Sequence, residues 1–509
     1  MRIKNALISV SDKTGLPELA TALIAEGAKI YSTGGTAAAL KAAGCEVTDV
    51  ATLTGDNEML GGRVKTLHPN VHAAILADMH NEAHVKELAD LKLPKLDLVV
   101  VNFYPFERVV AESAQLPEVI ENIDIGGPTM VRAAAKNYTS TIVLTDPNDY
   151  PLFVGYLKSG ELTTDISLRW AAKAFIKVAH LDAAIANYFS RNEEESDNYQ
   201  THRFLHLEKV ADLRYGENPH QAAACYRLEG DSNAFTQLLG PPLSYNNLLD
   251  AHSACLAASW YSAPVAVIVK HNNPCGIATA ETSKIALTRA LYTDPVSAFG
   301  GVVAFNCPID EDVAQILQES FWEVVIAPQV TAAAKSVLAL KERLRLLVVP
   351  SYQDLPQQFT SMGRLMLTQA ADHVHDFATE NAVVSKRIPD AEEIADLQFA
   401  WRAAAAVKSN SIVIAHKLAT VAIGAGQMSR VDSALLACEK AKRRKVKLNG
   451  SVAASDGFFP FADGVEVLAQ AGVTAIVQPG GSKNDDEIIA AADAANISMV
   501  MTGKRHFRH

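Results

Sequence analysis

The sequence predicts an α/β protein in which strands alternate with helices. Short apolar runs rich in valine and isoleucine are separated by stretches of helical periodicity along much of the 509-residue chain. Such alternation is typical of βαβ units. Because a chain of this length exceeds what one hydrophobic core supports, two to four domains are expected.

The elements of the first 190 or so residues can be placed in order. Residues 6–10 (ALISV) indicate a buried strand, and leucines at helical spacing follow at Leu16, Leu19 and Leu23. A second strand in AKIYSTGG precedes a helix over residues 37–43. LDLVVVNFYPF supplies a strongly apolar strand, and helical MVRAAAKN precedes the strand TIVLTD. This order predicts a parallel sheet with helices on both faces.

An acidic stretch, RNEEESDNYQ at residues 191–200, lacks apolar periodicity and is typical of a linker. We therefore expect domains at 1–195 and 205–509, joined by residues 196–204. The second domain again has α/β character, and we expect two subdomains that divide near residues 360–390. No internal sequence repeat is strong enough to establish a duplication.

Charge and hydropathy exclude several classes of protein. The net charge of −11 argues against a general nucleic-acid binder, which needs clustered cations. The one basic run, KAKRRKVK at 440–447, is interpreted as a solvated helix end. No apolar run approaches the ~20 residues of a membrane span, and the N-terminus becomes polar too early for a signal peptide. We expect a cytoplasmic protein with neither a membrane nor a nucleic-acid partner.

Cysteine usage argues against a metal centre. The six cysteines are scattered without paired spacing, which is typical of free thiols. Pro274-Cys275 resembles half of the P-C-x-x-C pattern of zinc deaminases, but Ala278 occupies the position of the second cysteine. A catalytic zinc needs about three protein ligands. We therefore expect no catalytic metal.

Two loops near the N-terminus suggest a phosphate site. SVSDKTG (9–15) and STGGT (32–36) each follow a strand and open a helix. Small residues let backbone N–H groups approach a ligand, helix N-termini favour anions, and Lys13 supplies a mobile cation. Either loop alone is equally compatible with ordinary helix capping.

Four further side chains could converge at the carboxyl edge of the same sheet. Lys65 lies in the glycine-rich stretch MLGGRVKTLHP, Tyr104 follows a strand, Asp124 precedes a Gly-Gly helix start, and Lys136 lies one helical stretch later. Such groups in a partly dry cleft would have shifted pKa values, as general acid–base catalysis requires. Taken singly, each is equally compatible with a surface salt bridge.

The stretch VIVKHNNPCG (267–276) is a buried strand that ends in Lys270 and His271. Open α/β sheets bind ligands at the carboxyl ends of their strands. Alternation along an extended chain would point these two side chains in opposite directions. The turn that follows must therefore bend the chain if both are to face one substrate. The alternative is an ordinary strand exit with polar residues facing water.

The longer motifs closely resemble, in order, those of the family of bifunctional purine biosynthesis proteins that combine AICAR transformylase with IMP cyclohydrolase, with bacterial-type spacing. The resemblance covers essentially the whole chain. Its first part comprises SVSDKTG, STGGT, EMLGGRVKTLHP, NFYPF and NIDIGGPTMVRAAAKN. Its second part comprises LRYGENPHQ, YNNLLDA, VKHNNPCG, DPVSAFGG, SNSIVIA, GAGQMSR and SDGFFPF.

This resemblance implies a fold and an activity. The N-terminal domain would be a parallel sheet domain like methylglyoxal synthase, and the C-terminal region would contain two cytidine-deaminase-like α/β subdomains. The protein would transfer a formyl group from 10-formyltetrahydrofolate to AICAR and then close the ring, with loss of water, to inosine monophosphate. These are the last two steps of de novo purine biosynthesis. The resemblance also implies a homodimer with transformylase sites at the subunit interface.

The resemblance also assigns site residues. The catalytic set would be Lys65, Tyr104, Asp124, Lys136, Lys270, His271 and Asn410. The substrate-binding set would be Ser11, Lys13, Ser32, Gly34, Gly35, Thr36, Arg63, Thr66, Gly126, Gly127, Arg214, Tyr215, Asn247, Phe299, Arg430, Phe459, Pro460, Arg505, Phe507 and His509. Which residue is the cyclohydrolase base stays open, as does the division of labour between Lys270 and His271.

One rival hypothesis is a catalytically silent regulator that senses purine nucleotides. A sensor needs phosphate contacts but no general base. The intact set of acid–base candidates therefore favours an enzyme.

Overall fold

The computed structural model describes residues 1–56, 58–112, 115–190, 199, 201–228, 235–352, 357–378 and 382–509. The chain divides into two compact units, Met1–His206 and Leu207–His509. Of the expected linker at 196–204, residues 196–198 and 200 lie outside the described residues.

The N-terminal unit is built on a five-stranded parallel sheet in the order β3-β2-β1-β4-β5. The strands are β1 Asn5–Val10, β2 Lys29–Ser32, β3 Thr48–Asp49, β4 Leu98–Asn102 and β5 Ile142–Leu144. The helices are α1 Leu16–Ala25, α2 Gly34–Ala42, α3 Ala51–Thr54, α4 Pro69–Leu76, α5 Glu82–Asp90, α6 Phe106–Ala111, α7 Leu116–Glu121, α8 Gly126–Lys136, α9 Tyr150–Ser159 and α10 Thr164–Ser190. The expected parallel sheet is confirmed.

The apolar runs of β1 and β4 are buried because helices cover both faces of this sheet. Ile8 and Val100 belong to one core cluster with Leu19, while Leu7 and Val99 belong to a second cluster on the opposite face. Such two-sided burial explains why these strands have continuous rather than alternating hydrophobicity.

The C-terminal unit contains an eleven-stranded mixed sheet in the order β20-β19-β18-β16-β17-β10-β9-β11-β12-β13-β8. Its strands are β8 Thr236–Leu239, β9 Val265–Lys270, β10 Asn273–Thr279, β11 Gly301–Phe305, β12 Trp322–Ala327, β13 Arg345–Val348, β16 Ile412–His416, β17 Ala419–Gly424, β18 Ser451–Ser455, β19 Val473–Gln478 and β20 Ser498–Met501. Two separate hairpins pair β6 Leu207–Leu213 with β7 Ala223–Leu228, and β14 Gln357–Met362 with β15 Leu365–Ala370. The expected α/β class is thus confirmed.

The helices of this unit cover both faces of the large sheet. They are α11 Tyr245–Ser259, α12 Ser283–Thr293, α13 Pro295–Ala298, α14 Glu311–Gln318, α15 Ala332–Leu338, α16 Ala391–Ala406, α17 Arg430–Arg443, α18 Asp463–Ala471 and α19 Asp485–Ala494. α11 and α16 share one continuous core, which includes Ala254 and Ala404. Two other clusters occupy the opposite face, one for each half of the sheet.

The two halves of the large sheet repeat one topology. In the first, β9 pairs antiparallel with β10 and β11, and β11, β12 and β13 then run parallel. In the second, β16 pairs antiparallel with β17 and β18, and β18, β19 and β20 then run parallel. The halves join where β10 meets β17. A helix, α11 or α16, precedes each half, so the structure shows a duplication that the sequence did not.

None of the helices within the described ranges is long and apolar enough to cross a membrane.

Candidate active sites

The loop after β1 is held against the end of β4 by one asparagine. The backbone N–H groups of Ser11 and Asp12 both donate to Asn102 Oδ1, over 2.6 and 2.9 Å. Asn102 Nδ2 donates in return to the Asp12 carbonyl over 2.8 Å. The loop that carries Lys13 is therefore fixed at the carboxyl edge of the sheet. Sequence analysis missed Asn102, although its position as the last residue of a strand was a usable signal.

Two of the expected cradle residues use their hydroxyl groups to hold the loops. Ser32 Oγ donates to the Ile8 carbonyl over 2.7 Å, and Thr36 Oγ1 donates to the Val10 carbonyl over 3.0 Å. Both side chains are buried. By contrast, Gly34 and Gly35 at the start of α2 are exposed, so it is their backbone that faces solvent.

Lys65 reaches the N-terminus of α2. Its ammonium lies 2.9 Å from Glu58 Oε2, and a Cβ added to Gly34 would lie 3.5 Å from Lys65 Nζ. Arg63 is directed elsewhere and pairs with the exposed carboxylate of Glu121. Glu58, which lies in the motif EMLGGRVKTLHP but was not among the predicted site residues, is therefore the partner of Lys65.

Asp124 lies at the N-terminus of α8. Its Oδ1 accepts a hydrogen bond from Gly127 N over 2.8 Å. A Cβ at position 127 would lie 2.4 Å from Asp124 Oδ2, so only glycine allows this approach. Burial raises the pKa of Asp124, and the Gly127 N–H opposes that rise. Thr66 is buried beside Gly126, with its Oγ1 3.2 Å from where a Cβ of Gly126 would lie.

Tyr104 follows β4 with 53% of its surface exposed.

The structure does not bring Lys136 to Asp124. Lys136 ends α8, whereas Asp124 precedes that helix, and a rise of 1.5 Å per residue separates the two ends by about 15 Å. Lys136 instead lines a cavity with His72 and Arg132.

In the C-terminal unit, the chain reverses immediately after Lys270. His271 and Asn272 have φ angles of 53° and 61°, and Asn273 pairs back with Lys270. Asp250 of α11 holds this turn, because Asn272 N donates to its Oδ1 over 2.6 Å and the His271 backbone donates as well. The left-handed pair is the bend that sequence reasoning required. Sequence analysis missed Asp250, although it lies within the motif YNNLLDA.

Asn410 is oriented by a buried ion pair. Its Oδ1 accepts from Arg430 Nη2 over 2.8 Å, and its Nδ2 donates to the carbonyls of Gln427 and Met428 over 2.9 and 3.1 Å. Arg430 is buried and pairs with the equally buried Asp456. Arg430 therefore orients the Asn410 side chain from within the core. Its partner Asp456 was not among the residues predicted from the sequence.

The C-terminal tail folds against these residues. Arg508 and Ser409 exchange hydrogen bonds of 2.9 and 3.1 Å through backbone and hydroxyl groups. Arg508 Nη2 donates to Ser253 Oγ over 3.0 Å, and Ser253 in turn contacts Asn272. Lys408 N also donates to Asn273 Oδ1 over 2.9 Å. The tail, the Asn410 region and the β9–β10 turn therefore form one network.

Tail residues 505–509 contribute aromatic and cationic groups at this edge. The Arg505 guanidinium lies 4.6 Å from the Phe507 ring centroid. Phe507 packs close to Gly457, and the ring of His509 lies 6.0 Å from that of Phe507.

The remaining expected residues are placed as follows. The Arg214 guanidinium lies 5.4 Å from the Tyr215 ring centroid, and Lys270 Nζ donates to the Phe299 carbonyl over 2.7 Å. Asn247 is buried in a capping box with Ser244 at the start of α11.

Phe459 lies fully buried in the core, so its ring does not line an open surface. Its neighbours Phe458, Pro460 and Phe461 are the exposed members of SDGFFPF.

Comparison with known proteins decides the family. Residues 134–440 match the family model described as AICARFT/IMPCHase bienzyme. The chain belongs to the AICARFT/IMPCHase bienzyme family. Residues 15–129 match the model described as MGS-like domain, in agreement with the parallel sheet of the N-terminal unit. The resemblance inferred from the sequence motifs is confirmed.

Membership of the AICARFT/IMPCHase bienzyme family identifies an enzyme with two activities in purine biosynthesis, formyl transfer to AICAR and ring closure to inosine monophosphate. Its substrates are small molecules, and formyltetrahydrofolate is the cosubstrate of the transfer. Nothing favours the silent regulator. The chain is also similar to a solved structure described as ForH, with 36% identity, 37% of this chain and 98% of that chain covered, and a TM-score of 0.33.

Proposed function

We propose that the N-terminal unit closes the ring of formyl-AICAR at the carboxyl edge of its sheet. In this reaction the carboxamide nitrogen attacks the formyl carbon, and water leaves. Because the attack is intramolecular, holding the two groups in near-attack geometry removes much of the barrier. What remains is to move protons and to stabilise the charge that develops on the formyl oxygen.

Asp124 is the best candidate for the base. Its carboxylate is held by Gly127 N, and burial raises its pKa toward the range in which a base is effective. Lys65, beside the start of α2, and the N–H groups near Gly126 and Gly127 are suited to stabilising the oxyanion. Tyr104 lies exposed at the same edge of the sheet and would orient the substrate. Lys136, at the other end of α8 from Asp124, stays in the proposed catalytic set that the family resemblance implies.

The substrate phosphate would bind between the loops after β1 and β2. Those loops offer exposed backbone at Gly34 and Gly35 and the ammonium of Lys13. A helix N-terminus with free N–H groups favours an anion. Ser11, Ser32 and Thr36 keep the two loops in place through their backbone and hydroxyl hydrogen bonds.

The C-terminal unit would transfer the formyl group at the β9–β10 turn. The single observation that carries this assignment is the network that joins the turn to Asn410 and the tail. The 5-amino group of AICAR is a poor nucleophile and must lose a proton as it attacks. His271 would take this proton, because a neutral imidazole nitrogen is suited to act as a general base. Lys270 would stabilise the formyl oxyanion or protonate the departing folate nitrogen.

Several finer points belong to the same proposal. The formyl donor is 10-formyltetrahydrofolate. The cyclohydrolase domain spans residues 1–195, the transformylase domain spans residues 205–509, and residues 196–204 join them. The enzyme works as a cytoplasmic homodimer whose interface completes the transfer site. Large apolar side chains near this site support a covering partner: Val296, Phe299 and Met428 are 83%, 59% and 93% exposed.

One assay tests both activities. The purified protein is supplied with AICAR and 10-formyltetrahydrofolate while tetrahydrofolate and inosine monophosphate are followed, and formyl-AICAR is supplied alone in a parallel reaction. We expect tetrahydrofolate and inosine monophosphate in the first reaction and inosine monophosphate in the second. Absence of product from both reactions would refute the proposal.

A further inference from the structure

The last five residues of the chain present two faces. Arg505, Phe507 and His509 are exposed, whereas His506 is buried and Arg508 is half-buried. An extended segment produces this alternation when one of its faces packs on the body of the protein. The exposed face carries the residues expected to bind substrate, so the inner face is the one that anchors the tail.

Arg508 anchors the tail to the helix that holds the β9–β10 turn. Its Nη2 donates to Ser253 Oγ over 3.0 Å, and Ser253 Oγ donates in turn to Asn272 Oδ1. Ser253 lies three residues after Asp250 on α11, and Asp250 accepts the Asn272 N–H over 2.6 Å. Two residues of α11 thus hold Asn272, Asp250 at the backbone and Ser253 at the side chain, and Ser253 ties it to the tail.

The equivalent point of α16 carries a residue that cannot make this link. Ser253 follows the N-cap of α11 by nine residues, and the residue nine after the N-cap of α16 is Phe399. Phe399 is buried in the core, and its side chain has no hydrogen-bonding group. Asp250 and Asp396 stand six residues after the same N-caps, and each holds a turn by its backbone. Holding a turn of this kind therefore needs the aspartate alone, and the serine is added in the half whose turn bears the proposed catalytic pair.

We propose that Ser253 and Arg508 are positioning residues for formyl transfer, through which the docked tail fixes the Asn272 side chain and with it the turn that bears His271. The inference rests on the assignment of formyl transfer to this turn. His271 and Asn272 both have left-handed backbone angles, which few residues other than glycine adopt, so contacts from outside the turn are needed to keep it in place. The tail would thus align its own substrate-binding face and the catalytic turn together.

Substitutions along this path should affect kcat for formyl transfer. Ser253→Ala should lower it by up to about 100-fold, the cost of a small misplacement, and leave KM for AICAR within about threefold. Arg508→Met removes the donor and should have a similar effect on kcat. The double variant should be no slower than the slower single variant, because both changes interrupt one path. Arg508→Lys restores a donor and should recover part of the rate, and ring closure of formyl-AICAR should be unchanged in all of these proteins.

Asp372→Ala is the control for a general loosening of the tail. Asp372 Oδ2 lies 2.7 Å from His506 Nδ1, so this change removes a contact of the same inner face that does not involve the turn. It should leave kcat for formyl transfer unchanged.

Three results would overturn the inference: an equal loss of kcat in Asp372→Ala and Ser253→Ala, losses that multiply in the double variant, or a kcat of Ser253→Ala within about twofold of the unchanged protein. Failure of the unchanged protein to form tetrahydrofolate would instead refute the assignment of formyl transfer itself. Circular dichroism confirms that each variant is folded, and Arg508→Met decides the matter if Ser253→Ala is not.

Discussion

Asp250 and Asp396 perform the same structural task in the two halves of the C-terminal unit. Asn272 N donates to Asp250 over 2.6 Å, whereas Lys417 N and Leu418 N donate to Asp396 over 2.7 and 2.6 Å. In both places a helix carboxylate holds a two-residue, left-handed turn between antiparallel strands. A carboxylate that accepts backbone N–H groups makes strong, charge-assisted hydrogen bonds.

The positions of these aspartates follow from the repeated topology. Asp250 follows Ser244, the N-cap of α11, by six residues, and Asp396 follows Asp390, the N-cap of α16, by the same number. Only the first turn carries the Lys270–His271 pair. The second turn is therefore a matched control for what the first contributes to catalysis.

Asp250→Asn should lower kcat for formyl transfer while ring closure is unchanged. An amide in place of the carboxylate cannot accept both backbone N–H groups well, and a turn displaced by about 1 Å costs up to about 100-fold in rate. Asp396→Asn should lower the melting temperature without lowering kcat. If Asp250 only positions the turn, the pH profile of the remaining activity should keep its shape. Equal losses of kcat in both variants would contradict this assignment.

His271→Ala and Lys65→Ala should separate the two activities. The first removes the proposed base for formyl transfer and should lower that rate by about 10²- to 10⁴-fold. The second removes a cation from the ring-closing site and should reduce only inosine monophosphate formation from formyl-AICAR. Each variant thus serves as the other's control. A comparable loss of both activities in either folded variant would argue against two separate sites.

Ring closure should depend on pH through Asp124. Because burial raises the pKa of this carboxyl above 3.8, the rate should rise with pH as Asp124 loses its proton. Asp124→Asn should remove this acid limb together with about 10²- to 10⁴-fold of the rate. Rate measurements with formyl-AICAR across the acid range test this, and an acid limb that survives the substitution would exclude Asp124 as the base.

The same substitution should stabilise the protein. A carboxyl whose folded pKa is raised favours folding in its protonated form, and that stability is lost as pH rises through the folded pKa. Asparagine avoids the buried charge and still accepts from Gly127 N. The melting temperature of Asp124→Asn at pH 7 should therefore exceed that of the unchanged protein, and a lower value would contradict the burial argument.

The parts of the fold that depend on short stretches of apolar sequence could be predicted from the sequence. The continuous apolar runs of β1 and β4, together with the helical stretches between the strands, were sufficient to predict a buried parallel sheet with helices on both faces. The duplication in the C-terminal unit left no such signal. Each half requires only apolar strands and a capped helix, and α11 and α16 meet that requirement with different residues, Ser244 and Asn247 in one and Asp390 and Glu393 in the other.

The sites were predictable where a motif carries its own chemistry and not where a partner is remote. Lys270 and His271 are adjacent in the sequence, but the groups that hold their turn come from α11, where Ser253 also links the turn to Arg508 of the tail. Asn102 and Asp456 were missed for the same reason, because each acts on a loop distant in the chain. The separation of Lys136 from Asp124 could have been calculated from the sequence, because the helix between them was predicted and the rise per residue of a helix is fixed.

A buried lysine outside both proposed sites provides the last prediction. Lys95 Nζ donates to the carbonyls of Ala74, Ile75 and Leu96 over 3.2, 2.9 and 2.9 Å. Burial lowers the pKa of Lys95 from 10.5 to about 8. Between these values the unfolded chain binds the proton more tightly than the folded one, so the free energy of unfolding should rise with pH across this window.

Lys95→Met should remove this pH dependence without destabilising the protein at pH 7. The carbonyl groups would not be left unpaired, because the Ile75 carbonyl also accepts from Asn137 Nδ2 over 2.8 Å and the Leu96 carbonyl from Thr141 Oγ1 over 3.1 Å. Methionine keeps the apolar stem, and the cost of burying an ammonium, several kcal/mol, disappears. Urea unfolding from pH 7 to 10, with the exposed Lys86→Met as control, measures both effects. A loss of more than about 2 kcal/mol at pH 7 would show that the lysine hydrogen bonds outweigh the burial of its charge.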